Sequence, residues 1–276
     1  MQLSFSAPRA SRLSRLVERH LPFVRRNYLQ KLFRTKEIKV AGRPAKPDQI
    51  VEKGTSITVF LPDPRENFDK LTGCRIIFED DDVMAFDKKA GITCVPGVGT
   101  RGASLHEAAE QLLETRFFPV HRLDRETSGV IVFSKSMDMA KKLELEFRER
   151  RTEKIYYALV AGTPKKKEEW IRDPLRRNGE KVIIDPKRGQ SAETHFEWVK
   201  KIGPHALLKV EPTTGRTHQI RVHLASIGCP VVGDAVYGKA KANINRHLLH
   251  AGELKILNYR FQATLPPEFE REVSGD

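Results

Sequence analysis

His121-Arg122-Leu123-Asp124-Arg125-Glu126-Thr127-Ser128-Gly129 packs two arginines, two carboxylates, two hydroxyls and a glycine into nine residues. Apolar and aromatic residues lead into it (Phe117, Phe118, Pro119, Val120), and Val130-Ile131-Val132-Phe133 leaves it as a strand-like run. Taken alone, such a stretch reads as a tight turn, with Thr127 and Ser128 bonding the backbone and Asp124 paired to an arginine. A loop this polar between two segments fit for burial is also where a scaffold presents its chemistry.

Outward from this loop, short strands outnumber helices. Downstream, Met137 to Arg150 has helical spacing, with Leu143 and Phe147 as an i, i+4 pair. Strands are predicted at Ile155–Val160, Val182–Ile184, Ala192–Val199, Ala206–Val210, His247–Leu257 and Tyr259–Leu265, with a helix from His218 to Ser226. Upstream, Ile76–Phe86 reads as two strands around Asp80-Asp81-Asp82, and Lys88–Gly91 as a turn. Ser104 to Arg116 reads as a helix that Ser104 and Glu107 can cap. This order predicts an α+β fold whose largely antiparallel mixed sheet is flanked by helices and loops, not a doubly wound one.

The charge is concentrated at the start. Net charge is +13 over 276 residues, yet residues 1–62 hold thirteen Lys and Arg against four Asp and Glu, a surplus of nine. A basic segment joined to a near-balanced one reads as a binding module for a polyanion, nucleic acid first. Within it, Leu13, Leu16 and Val17 predict one helix, and Tyr28, Leu29, Leu32 and Phe33 a second. Ile38-Lys39-Val40, Ile50-Val51 and Ile57–Phe60 predict hairpin strands. Residues 63–72 are predicted as a linker, because Pro62 and Pro64 disfavour helix and central strand. Residues 73–276 are then a larger domain.

Cys74, Cys94 and Cys229 are scattered, without the spacing of a disulfide framework or structural zinc site, which suits a reducing cytoplasm. No apolar run approaches a membrane span and no apolar signal core follows the first charges, so neither membrane nor export is expected.

The central stretch, His-Arg-Leu-Asp-x-x-Thr-Ser-Gly, resembles the signature of RluA-type RNA pseudouridine synthases at every defined position. Asp87-Lys88-Lys89-Ala90-Gly91-Ile92 resembles that family's first motif, with Lys89 where proline is usual. Lys154-Ile155-Tyr156-Tyr157-Ala158-Leu159-Val160 resembles its Lys-x-Tyr-x-Ala-Leu-Val strand. Gly215-Arg216-Thr217-His218-Gln219-Ile220-Arg221-Val222-His223, running on to Gly233-Asp234-x-x-Tyr237-Gly238, resembles its third motif. After His250-Ala251 the family often shows His-Pro, where this chain has Asn258-Tyr259-Arg260. Residues 1–62 resemble an S4-type RNA-binding domain from Arg12 through Leu29–Leu32 and Ile38–Arg43 to Val51–Gly54, with Ser14 and Ala41 where Asp and Asn are usual.

The resemblance implies an isomerase that converts uridine to pseudouridine in structured RNA. The glycosidic N–C bond breaks, the base turns, and the ribose rejoins it through carbon. No redox change occurs, and no cofactor or metal is expected. Asp124 matches the catalytic carboxylate, which must stay ionised in a site closed to water, and Arg221 matches its ion-pair partner. Tyr156 matches the active-site tyrosine, a stacking face whose hydroxyl can assist proton removal from C5. Arg122 matches the residue that handles the displaced nucleotide, and Ile220 or Leu123 lines the base pocket. Arg12, Arg26, Lys31, Lys39 and Arg43 are the expected phosphate contacts of the S4-like part.

The expected partner is RNA, ribosomal ahead of transfer RNA, bound by a monomer. His121, His218 and His223 could form three imidazoles at one metal, but no carboxylate or Cys shows ligand spacing with them. The alternatives are a non-catalytic RNA-binding protein that retains the fold, and a glycosidic hydrolase using Asp124. The first would be marked by loss of Asp124 or Arg221; the second normally requires a paired acid.

Overall fold

The structure is a computed structural model describing residues 1–97, 103–239, 244 and 246–271. The backbone packs as two units, Met1–Ile76 with Val95–Phe117, and Ile77–Cys94 with Phe118–Asp276.

In the first unit, helix α1 (Leu13–His20) buries Leu13, Leu16 and Val17, and α2 (Arg26–Arg34) buries Leu29 and Leu32, at the predicted spacings. The same unit holds a small sheet in which β1 (Gln2–Ser6) pairs with β6 (Ser56–Phe60), β6 with β3 (Ile38–Val40), and β3 with β4 (Arg43–Pro44). A separate two-strand ladder joins β2 (Ser11–Arg12) to β5 (Ile50–Val51). Strand β1 has no counterpart in the sequence reading, since only two of its five residues are apolar; it is an edge strand, half exposed. The β3–β4 turn puts Ala41 at φ +47° and Gly42 at φ +80°, the two left-handed residues of a type I′ hairpin.

Residues 63–72, expected as a linker, instead form α3 (Pro64–Thr72). Asp63 caps it by accepting from the Arg65 N–H at 2.8 Å. Pro64 sits in the first turn, where its missing N–H leaves no bond unmade. The proline that argued against a helix is thus the one that begins it. Helix α4 (Leu105–Leu113) packs against α3, and its Ser104–Glu107 capping box is formed as predicted.

The second unit is built on one twisted sheet. Its strands are β7 (Arg75–Glu79), β8 (Val83–Lys88), β9 (Phe118–Pro119), β10 (Ser128–Ser134), β11 (Glu153–Ala161), β12 (Glu168–Ile171), β15 (Thr194–Ile202), β16 (His205–Pro212), β17 (Leu249–Ile256) and β18 (Tyr259–Gln262). The hairpin of β13 (Leu175–Asn178) and β14 (Lys181–Ile184) stands apart from it. The order is β12-β15-β16-β11-β17-β10-β8-β7, with β18 on β17 and β9 on β10. The β10–β17 pairing is parallel and spans two residues, while the other described ladders of this sheet are antiparallel. Helix α5 (Met137–Arg148) buries Leu143 against Val130 and Val132 on one side of the sheet. Helix α6 (Gln219–Ser226) packs Ile220 and Leu224 against Ala158, Phe196 and Val210. No helix of the described residues is long and apolar enough to cross a membrane.

The short parallel contact decides where the central loop goes. Gly129 lies opposite Ala251 of β17, and Ala251 lies opposite Tyr156 of β11, so loop and tyrosine are two strand spacings apart. Gly129 has φ +111°, and a Cβ there would stand 2.1 Å from the Ala251 carbonyl oxygen. Glycine is required for this approach. The β11–β17 register shifts between Ile155 and Tyr156, leaving Gly252 as the extra residue of a bulge beside the tyrosine.

Replacing Ala41 by Asn, which tolerates the left-handed conformation better, is expected to raise stability by about 0.5 kcal/mol. Thermal unfolding of the two proteins measures it; an unchanged or lowered midpoint would contradict the strain assigned to φ +47°.

Candidate active site

The loop that ends in Gly129 is fastened at several points. Thr127 N–H donates to the Asp124 carbonyl at 3.1 Å, which closes the turn. The Thr127 and Ser128 hydroxyls do not bond the local backbone: Thr127 Oγ1 is 2.8 Å from His247 Nε2, and Ser128 Oγ is 2.9 Å from His250 Nδ1. Both imidazoles are held below their ordinary value by burial, His247 to about 4, and act as neutral partners. On the other side, the wholly buried Lys88 ammonium donates to the carbonyls of Lys89 at 3.1 Å, Ile92 at 2.8 Å and Arg125 at 3.0 Å. Gly91 and Arg125 exchange two further bonds, Gly91 N–H to the Arg125 carbonyl at 2.9 Å and Arg125 Nε to the Gly91 carbonyl at 3.0 Å. The first motif is therefore a clamp on the loop.

Asp124 projects from this loop with its side chain 27% exposed. Its Oδ2 accepts from Arg221 Nη1 at 3.0 Å, across 97 residues of sequence. Arg221 is itself 6% exposed and is gripped from behind by Asp234, with Nε to Oδ2 at 2.7 Å and Nη2 to Oδ1 at 2.9 Å. Asp234 is fully buried and also accepts the Val236 and Tyr237 N–H groups. Two-point binding fixes the guanidinium plane, so the remaining N–H is aimed at Asp124 before any substrate arrives. Burial raises the Asp234 carboxyl, but Arg221 and the two N–H groups outweigh it and hold it below the usual carboxylate range.

Gln219 pins the preceding turn. Its Oε1 accepts from Thr214 Oγ1 at 2.6 Å and the Arg216 N–H at 3.0 Å, and its Nε2 donates to the Glu193 carbonyl at 2.8 Å and Thr194 Oγ1 at 3.0 Å.

Asp124, Arg221, Tyr156 and Arg122 line one cavity of about 580 Å³, together with Leu123 and Ile220. Its wall also carries Arg148, Arg150, Lys154 and Arg216, so Asp124 is one carboxylate among six cations. Burial, and then the charges of Asp124 and Cys94, push the Tyr156 phenol above its ordinary range. It stays protonated and offers a ring face and a neutral hydroxyl; it is not a ready base. Lys154, on the same side of β11, donates to the Thr214 carbonyl at 3.2 Å, and burial together with Arg150 lowers it to about 8.

The three histidines weighed for a metal do not converge. His121, lowered to about 3 by burial and Lys154, accepts the Val132 N–H at 2.9 Å. His223 is fully buried between Thr194 Oγ1 and the Asp173 carbonyl, each at 2.9 Å. His218 faces Asp124. Elsewhere, ligand atoms of His195, Glu197 and Glu211 lie within 4.8 Å of one another, but the Lys209 ammonium is already 2.6 Å from Glu211 and 3.8 Å from Glu197.

Of the basic residues in the first unit, Arg26 lies 3.6 Å from Glu18, Lys31 stands over the Tyr28 ring, and Lys39 over the Phe60 ring. Arg12 precedes α1, and Arg43 is exposed in β4. The roles of Asp234, Lys88 and Gln219 went unread in the sequence, although each stands inside a quoted motif. For Asp234 the signal was an acid within the apolar run Val231-Val232-Gly233-Asp234-Ala235-Val236; Lys88 and Gln219 stand among polar neighbours and carry no such mark.

Asp234→Asn removes one of the two counter-charges of Arg221 and is expected to cost about 3 kcal/mol at neutral pH. A carboxyl depressed in the folded state contributes stability above its unfolded value, near pH 4, and loses it as pH falls further. Acid unfolding of the variant should be flatter below about pH 4 than that of the unaltered chain; parallel curves would contradict this account of Asp234.

Comparison with known proteins agrees with the geometry. The RNA pseudouridylate synthase family model matches residues 82–226. An uncharacterized RNA pseudouridine synthase of Aquifex aeolicus is 34% identical over 262 residues, covering 89% of this chain and 83% of that protein. Ribosomal large subunit pseudouridine synthase C of Buchnera aphidicola subsp. Baizongia pistaciae is 33% identical over 264 residues, covering 87% and 82%. Among solved structures, human RNA pseudouridylate synthase domain containing 1 superposes with a TM-score of 0.61 at 25% identity, covering 72% of this chain and 87% of that one. Fold, motif order and relatives agree: the chain belongs to the RNA pseudouridylate synthase family, as an RluA-type isomerase.

Proposed function

We propose that Asp124 is the catalytic carboxylate, acting on a uridine of ribosomal RNA that is turned out of its stack into the cavity. The observation that carries this is the Asp124–Arg221 ion pair, set at 3.0 Å in a cavity whose wall carries six Lys and Arg side chains and no second carboxylate. Isomerisation needs a carboxylate that adds to the substrate or stabilises charge as the N1–C1′ bond breaks, and then leaves as the C5–C1′ bond forms. The C5 proton is lost and N1 gains one, so the overall change is a rearrangement. Arg221 orients the Asp124 carboxylate through the 3.0 Å bond from its Nη1. Tyr156 supplies the ring on which the uracil stacks, with Leu123 and Ile220 as apolar neighbours. A base reached only by unstacking requires compensation, and Arg122, exposed at the cavity wall, is the group assigned to hold the displaced nucleotide.

Residues 1–62 are assigned as an S4-like RNA-binding domain that adds affinity through Arg12, Arg26, Lys31, Lys39 and Arg43, with catalysis carried by the larger domain that follows. The ribosomal substrate is supported by relatives named ribosomal large subunit pseudouridine synthase C.

Asp124→Asn is expected to abolish pseudouridine formation in transcribed ribosomal RNA while leaving RNA affinity within about threefold, because phosphate contacts carry most of the binding. An active variant would sink the assignment of Asp124. Replacing Arg12, Lys39 and Arg43 together by Gln should weaken RNA binding and flatten its salt dependence by ~0.7 to 0.9 in log–log slope for each phosphate left without its cation. An unchanged slope would remove these residues from the RNA interface.

A further inference from the structure

One side chain facing the cavity has a geometry that packing does not explain. His218 adopts φ +53° and ψ +16° at the start of α6, a left-handed conformation strained for a residue with a Cβ. Its two ring nitrogens are directed at different groups: Nδ1 is 2.8 Å from Tyr237 Oη, and Nε2 is 3.9 Å from Asp124 Oδ2.

The ring tautomer is assigned from its partners. Tyr237 Oη accepts the Val182 N–H at 2.8 Å, and the two rings meet edge-on with centroids 5.6 Å apart. Burial raises the Tyr237 phenol, so its own proton remains; with the Val182 N–H already on the oxygen, we assign that proton to the bond with His218 Nδ1. The imidazole proton then belongs to Nε2, the nitrogen turned toward Asp124. Burial lowers the imidazole, and so do Arg221 and Arg177, against the opposing pull of Asp124 and Asp234; the ring is neutral near pH 7.

We propose that His218 is a positioning residue of the isomerase, whose Nε2–H is held toward the Asp124 carboxylate by Tyr237, beside the clamp from Arg221. This rests on Asp124 being the catalytic carboxylate. At 3.9 Å no hydrogen bond is formed; it tightens when substrate excludes water from the cavity. A neutral donor suits the task, since a second full positive charge would hold the carboxylate too firmly to react. The N–H restrains carboxylate rotation while the glycosidic bond breaks and re-forms, with no proton transferred. The strain at position 218 is explained, because glycine or asparagine would relieve it but neither carries the imidazole.

The test uses the full chain and transcribed large-subunit ribosomal RNA, with pseudouridine formation read as kcat and KM. His218→Gly removes the ring together with the strain, and its melting temperature should not fall. Its kcat should drop at least ~10-fold with KM for RNA changed less than ~3-fold. His218→Gln, which restores an N–H donor, should recover most of that loss. Tyr237→Phe should lower kcat less, and should add nothing to His218→Gly, because Tyr237 acts through the histidine. A Gly variant as fast as the unaltered chain, a Gln variant no better than Gly, a loss confined to KM, or a fully additive double variant would each overturn the proposal. If the unaltered chain makes product and Asp124→Asn remains active, the assignment of Asp124 fails; if Asp124→Asn is dead and the His218 variants are not impaired, the role of His218 alone fails.

Discussion

A guanidinium that is 6% exposed and shared between two carboxylates is the constraint on which the second unit depends. Burying Arg221 is costly unless its charge is matched and its N–H groups are satisfied. Asp234 does this with two bonds, leaving Nη1 for Asp124. The arrangement has a direction: the buried carboxylate holds the arginine, and the arginine holds the exposed one. Asp124 must also be delivered to the right place, and three devices do so. Gly129 lets the loop strand run against Ala251, the Thr127 and Ser128 hydroxyls tie it to His247 and His250, and the Lys88 ammonium gathers three carbonyls beneath it.

The cavity couples this geometry to chemistry. Six cationic side chains around one carboxylate make a cavity that attracts a polyanion yet keeps a single negative group on its wall. Tyr156 lines that cavity from β11, at the point where the β11–β17 register shifts past Gly252. Raised by burial and by Asp124, its phenol stays protonated and faces the cavity as a neutral ring.

What the sequence made legible was local or periodic. The spacing of Leu13, Leu16 and Val17 announced α1, and Ser104 with Glu107 announced the cap of α4. The motif residues Asp124, Tyr156 and Arg221, remote in sequence, were named together and line one cavity. Less legible were features that depend on tertiary partners. Pro64 was read as a breaker because proline is unfavourable inside a helix, yet it occupies a first turn. Thr127 and Ser128 were read as closing their own turn, whereas their partners lie 120 and 122 residues away. Strands β12 and β13 have mixed charge and little alternation, and they form because β15 and β14 are there to pair with them. Asp234 stood in plain view in the third motif, but nothing local says that it faces an arginine thirteen residues earlier.

The central claim is that this cavity isomerises particular uridines of ribosomal RNA. Its most direct test is a map of every pseudouridine in the ribosomal and transfer RNAs of cells that contain the protein and of cells that lack it. The account predicts that at least one large-subunit ribosomal uridine stays unmodified when the protein is absent, with the transfer RNAs unchanged. Identical maps would contradict it, and a loss confined to transfer RNA would leave the isomerase standing while refuting the ribosomal substrate.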